Sequence, residues 1–210
     1  MKKIKAIVFD YDGVIVESEL FRRNILNQLL KPHGKQIKED DKRLIGRKTH
    51  QFLQEAFPEM TDKETISIRE AWQEQRMKQS IPLVVGVKET IDYAQKTFKT
   101  GITTGSTKKE VQQTIENQQL GEFNIIVTGE DFSSSKPDPE CYHLALSRLE
   151  TQPEETLIIE DSLAGIKAGK TTGCTVYGLG TYHDQEEILT AGADEYFSDH
   201  TALLQFLKKH

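Results

Sequence analysis

Apolar positions along this chain fall in short runs separated by longer amphipathic stretches. Residues 4–10, IKAIVFD, place Ala6 to Phe9 directly ahead of Asp10, and Asp12 and Gly13 follow. A β-branched and apolar run of that length, closed by a glycine-containing turn, predicts a buried strand. Similar runs at 100–104, 124–127, 156–159 and 174–179, with a short one at 195–197, predict five more. Helical patterns lie between them. One begins near Val87. The stretch 108–118 carries Val111 and Ile115 four residues apart, and 140–149 carries Cys141, Leu144, Ala145 and Leu149. The stretch 163–171 follows Asp161 and Ser162, residue types suited to a helix N-cap. Stretches 185–191 and 201–208 complete the set. Strand and helix alternating in this way predict an α/β fold: a doubly wound, Rossmann-like parallel sheet with helices on both faces.

Residues 17–80 break the alternation. They contain no convincing strand, are rich in Glu, Lys, Gln, Arg and Leu, and are interrupted at 31–34 and at Phe57-Pro58. This predicts a helical domain, 17–83, inserted after the first strand of a core formed by 1–16 and 84–210. Trp72, the single tryptophan, is expected to pack between its helices.

Composition narrows the class. The chain has 210 residues, 36% of them hydrophobic and 29% charged, which suits a soluble globular protein of one domain plus an insert. A net charge of -6 argues against nucleic acid as a partner. No window approaches the roughly 20 apolar residues of a membrane span, so no membrane partner is expected. The apolar run in the opening MKKIKAIVF is too short for a signal peptide and meets Asp10 at once. The two cysteines, Cys141 and Cys174, are too few for a disulfide framework and fit reduced thiols in a cytoplasm. A monomer is the expectation at this size.

The candidate chemistry sits where the predicted strands end. Ligands of doubly wound sheets bind at the carboxyl ends of the strands. Asp10 lies at such an end, and Gly13 permits a turn that brings Asp12 into the same volume. Two close carboxylates call for a cation or a shared proton, and a hard divalent cation, Mg²⁺ above all, is suited to oxygen ligands. The second strand leads to Thr104 and Ser106, the third to Lys136 in SSSKPDP, and the fourth to Glu160-Asp161. Each feature alone is ordinary strand-end or capping chemistry. Their order is not, because parallel strands bring all four ends to one edge. Together they supply a nucleophile, a hydroxyl donor, a cation and metal ligands, the set that phosphoryl transfer needs.

With these residues in place, the chain resembles the haloacid dehalogenase superfamily of phosphotransferases. The matching stretches are VFDYDGVIVESE, GITTGS, SSSKPDPECY and IIEDSLAGIKAG, with GADEYFSD near the end. The insert resembles the small helical cap of the β-phosphoglucomutase-like branch. The resemblance implies that Asp10 is the nucleophile, passing through an aspartyl-phosphate, and that Asp12 is the general acid and then the base. It implies Mg²⁺ held by Asp10, the Asp12 backbone carbonyl and Asp161, with Glu160 supporting the metal directly or through water. It implies that Thr104 donates to the phosphoryl group and that Lys136 offsets charge. The resemblance also implies phosphate esters rather than halides or phosphonates, because dehalogenases and phosphonate hydrolases of the superfamily typically lack an acid at the position of Asp12. The mutases of that branch carry a cap histidine shortly after the first motif. This chain has Arg22 in that neighbourhood and no histidine before His33. The expectation is therefore a Mg²⁺-dependent phosphatase acting on a small phosphorylated metabolite such as a sugar phosphate. A β-phosphoglucomutase-like mutase is the alternative, and a non-catalytic phosphate-binding module is a third reading. Arg22 and Arg47 are the candidate substrate contacts in the insert.

Overall fold

A computed structural model describes residues 3–45 and 49–209. The chain forms two compact units, one built from the chain up to Val16 and from Leu83 onward, the other from Glu17–Pro82.

The first unit is built on six parallel strands: β1 Ala6–Asp10, β2 Lys99–Thr103, β3 Ile125–Val127, β4 Thr156–Glu160, β5 Thr175–Leu179 and β6 Glu195–Phe197. Their spatial order is β3-β2-β1-β4-β5-β6. β1 and β4 are buried along their whole length. Strands covered on both faces read as continuous apolar runs rather than alternating ones, which is why these two were plain in the sequence. The predicted edges shift by a residue or so. β2 begins at Lys99 and stops at Thr103, so Thr104 belongs to the following loop.

Nine α-helices are described in chain order. α1 Ser18–Leu30, α2 Thr49–Ala56 and α3 Asp62–Lys78 lie in the second unit; α4 Val87–Thr97, α5 Lys108–Gln118, α6 Glu140–Leu149, α7 Leu163–Thr171, α8 Gln185–Thr190 and α9 His200–Leu207 lie in the first. Val8, Val127, Tyr142, Ile158, Ile166 and Val176 belong to one core cluster of the sheet unit. The helical unit has its own core, in which Trp72 packs with Leu26, Leu30, Phe52, Leu53 and Ile68. Thr61 and Glu64 close a capping box at the start of α3, the local signal that fixes a helix entry.

The segment leaving β1 is tied down within the sheet unit. Val16 pairs with Leu83, and the Val84 N–H donates to the Ile15 carbonyl, which places Leu83 with the sheet rather than with the helices. His200, fully buried at the start of α9, contacts the Val14 carbonyl through Nε2 at 2.8 Å. Among the described residues, no helix is long and apolar enough to cross a membrane.

Candidate active site

From β1 the chain steps outward through β2 to β3, then returns to the other side of β1 with β4. A reversal of this kind opens a crevice at the carboxyl edge between the two central strands. Asp10 ends β1 and Glu160 ends β4, so both carboxylates stand at that crevice.

Lys136 joins them. Its Nζ donates to Asp10 Oδ1 and, at 2.6 Å, to Glu160 Oε1. Glu160 is fully buried and heavily used. Its Oε1 also accepts from the Tyr142 hydroxyl at 2.9 Å. Its Oε2 accepts from the backbone N–H of Asp161 at 2.9 Å, from that of Ser162 at 2.8 Å, and from Ser162 Oγ at 3.0 Å. A carboxylate offers about four lone-pair directions, so Glu160 is saturated by protein donors. Ser162 in turn caps α7 by accepting from the Gly165 N–H. A Cβ at Gly165 would overlap the Glu160 carboxylate, so the glycine gives the acid its space.

Asp161 is placed differently. It is 2% exposed, and its Oδ1 has no hydrogen-bond partner. Asp10, Glu160 and Asp161 offer oxygens lying within 4.8 Å of one another. Burial pushes the Asp161 carboxyl well up, and the charges of Glu160 and Asp10 add to that. Burial likewise raises Asp10, to about 8; Lys136 pulls it down, and Glu160 and Asp12 push it back up. On Lys136, burial acts to lower the ammonium, but Asp10 and Glu160 outweigh it and hold the group well above its ordinary value. Three carboxylates thus share one ammonium. A buried oxygen without a partner beside an acid whose proton is hard to remove is the environment a hard dication satisfies. The donor set fits such an ion through Asp10 and Asp161, and Glu160 has no spare lone pair to give it.

Asp12 faces the end of β2. Its Oδ2 accepts from Thr104 Oγ1 at 3.1 Å and from Ser106 Oγ at 3.2 Å. Thr104 Oγ1 itself accepts from the Ser106 N–H at 2.9 Å. Gly13 makes the turn between the two acids possible. Its φ is +83°, and a Cβ there would overlap the Asp161 carboxylate. Replacement by alanine therefore meets both a left-handed backbone and a steric overlap. Gly13→Ala is expected to destabilise the protein by about 1–3 kcal/mol, seen as a melting temperature lower by several degrees. Calorimetry of the variant checks this; a melting temperature equal to the wild type would show that the turn tolerates a side chain.

Of the two insert arginines, Arg22 alone lies among the described residues. Arg22 is bound within the helical unit: one guanidinium nitrogen lies 2.7 Å from Glu19 Oε2 and also donates to the Leu44 carbonyl. Arg47 lies outside the described residues. Sequence reasoning passed over Tyr142, which reads as one more apolar position of α6 until its hydroxyl is seen on Glu160. The resemblance implied a role for Thr104 and none for Ser106, yet the Ser106 hydroxyl shares Asp12 with Thr104.

The haloacid dehalogenase-like hydrolase family profile matches residues 7–179. The chain belongs to that family. It is 29% identical to the phosphorylated carbohydrates phosphatase of Thermotoga maritima over 199 residues, covering 90% of this chain and 92% of that protein. It is also 29% identical to the pyrophosphatase PpaX of Bacillus velezensis, covering 93% and 92%. Among solved structures, a protein from Thermotoga maritima provisionally described as a β-phosphoglucomutase superposes with a TM-score of 0.79 at 25% identity, over 98% of this chain and 99% of that one. A haloacid dehalogenase-like protein of Agrobacterium tumefaciens shares the fold with a TM-score of 0.82.

Proposed function

We propose that this member of the haloacid dehalogenase-like hydrolases is a Mg²⁺-dependent phosphatase of small phosphorylated metabolites, phosphorylated carbohydrates foremost. The observation that carries the reading is the junction of β1 and β4, where Asp10 is held by Lys136 beside an Asp161 oxygen that has no protein partner. The relatives named as phosphatases, matched over about nine-tenths of the chain, support it.

The roles proposed here draw on this arrangement and on the resemblance to the family. Asp10 and Asp161, with the Asp12 backbone carbonyl, are the groups that would hold Mg²⁺. When bound, the ion supplies positive charge that lets an anionic nucleophile meet an anionic ester. An Asp10 oxygen attacks phosphorus and the bond to the leaving oxygen breaks, while Asp12 delivers a proton to that oxygen. Water then attacks the aspartyl-phosphate, Asp12 takes its proton, and phosphate leaves as the Asp10 carboxylate is restored. Lys136 keeps a positive charge on Asp10 and the phosphoryl oxygens throughout. Thr104 and Ser106 orient the Asp12 carboxylate, and the Thr104 hydroxyl turns to an incoming phosphoryl oxygen.

The expected result is phosphate release from p-nitrophenyl phosphate and from a panel of sugar phosphates with Mg²⁺, lost on chelation and restored by added Mg²⁺. Release unaffected by chelation would overturn the metal assignment, and no release from any ester would overturn the phosphatase reading. Incubation with β-glucose 1-phosphate and a bisphosphate activator separates hydrolysis from a mutase. Free glucose supports the phosphatase; accumulation of glucose 6-phosphate would replace it with the mutase.

A further inference from the structure

We propose that Tyr142 is a positioning residue that directs the Lys136 ammonium toward Asp10; its consequence for turnover rests on the phosphatase reading above. Three observations meet at this side chain. Tyr142 is buried at 1% exposure, in the first turn of α6. Its hydroxyl donates to Glu160 Oε1 at 2.9 Å, the same oxygen that accepts from Lys136 Nζ at 2.6 Å. The face of its ring lies against that ammonium, with Nζ 4.8 Å from the ring centroid.

The consequence is a competition. A lysine ammonium is a compact charge on a flexible stem, so its position is set by what attracts it. Here it stands between two carboxylates. Glu160 is the deeper of the two and carries the greater share of fixed donors. If Oε1 had Lys136 as its one partner there, the pull toward Glu160 would be at its strongest and the hold on Asp10 at its weakest. The Tyr142 hydroxyl partly neutralises Oε1 and so releases Lys136 toward Asp10. The ring adds a second restraint from another direction, since a cation over an aromatic face is attracted to it. Hydroxyl and ring thus have separable duties. The hydroxyl balances Glu160 against Asp10, and the ring keeps the ammonium from swinging away from the crevice.

Two substitutions separate them. Tyr142→Phe keeps the ring and removes the hydroxyl; Tyr142→Leu removes both. Nitrogen-15 NMR of the lysine ammonium groups reads the position of Lys136 directly, with Lys136→Met assigning the signal. Tyr142→Phe is expected to shift the Lys136 signal while keeping its ring-current displacement, and Tyr142→Leu to abolish that displacement. In turnover, Tyr142→Phe is expected to lower kcat roughly tenfold, the effect of one hydrogen bond to a charged group, with KM unchanged. A generally loosened fold would move KM and the melting temperature as well. A Lys136 signal identical in wild type and Tyr142→Phe would overturn the proposal, and so would an unchanged kcat in an active enzyme. If the wild type hydrolyses no ester, the phosphatase reading falls, while the NMR signal still decides whether Tyr142 positions Lys136.

Discussion

Asp10→Asn is expected to lower phosphate release by about three orders of magnitude or more while leaving the fold intact. The substitution keeps the volume and planar shape of the side chain and removes the anionic oxygen that attacks phosphorus. It acts at one atom of a crowded cluster, so its effect on stability carries separate information. In the native protein the Asp10 carboxyl is raised from 3.8 to about 8, chiefly by burial. The folded state therefore keeps a proton that the unfolded chain gives up. The resulting contribution to stability is fully present below pH 3.8 and is lost as pH rises through about 8. Metal-free wild type should accordingly lose melting temperature between pH 5 and pH 9 more steeply than metal-free Asp10→Asn, which has no such proton to surrender. Added Mg²⁺ should flatten the wild-type slope, because binding to the ionised carboxylate replaces the proton. Phosphate release and thermal melting across that pH range, with and without the ion, check both parts. A variant that still releases phosphate at a wild-type rate would remove Asp10 from the nucleophile role. Identical pH slopes for the two metal-free proteins would show that Asp10 ionises freely in its buried position.

Much of this arrangement was legible in the sequence, for a physical reason. Strands buried on both faces cannot alternate, so β1 and β4 stand out as uninterrupted apolar runs, and the acids that end them are conspicuous. Alternation of strand and helix dictates parallel strands, and parallel strands carry Asp10, Lys136 and Glu160-Asp161 to the same edge. What was not legible depends on direction rather than position. Glu160 and Asp161 are adjacent, and nothing in the letters says which carboxylate turns inward to five donors and which keeps an oxygen free. Tyr142 lies on the buried face of α6 and differs from a phenylalanine by one hydroxyl, whose partner is 18 residues away. Arg22 illustrates the same limit in the helical unit. Its i,i+3 relation to Glu19 can be read from the spacing, but the Leu44 carbonyl that also takes its guanidinium comes from a distant turn. Local pattern fixes elements and their order. Which face of an end residue meets which partner is decided by packing between elements far apart in the chain.

Lys136→Met is expected to be the most destabilising single change at the site. Among the described residues, Lys136 is the cation paired with Asp10 and Glu160, in a cluster that also holds Asp161. Methionine matches the length of the stem and offers no charge, so the packing is kept and the electrostatics are not. Breaking a buried ion pair by removing one partner costs about 3–5 kcal/mol, because the remaining charge is left uncompensated in a poor solvent for it. The expected fall in melting temperature is on the order of 10 °C for a chain of this size. Phosphate release should fall at least about a hundredfold, since the loss also removes fixed positive charge from the phosphoryl oxygens. The two losses have different cures, and that makes the test specific. Combining Lys136→Met with Glu160→Gln removes the deeper stranded charge and should recover a substantial part of the stability, because the amide oxygen still accepts from the Asp161 and Ser162 N–H groups while its NH2 donates to the Tyr142 hydroxyl. It should recover none of the turnover. Mg²⁺ should stabilise the single variant more than the wild type, as the ion is then the one remaining source of positive charge. If Lys136→Met melts within about 1 kcal/mol of the wild type, Glu160 is not relying on that ammonium. The saturation of Glu160 by Tyr142, Ser162 and the Asp161 N–H would then be sufficient by itself to keep the acid buried.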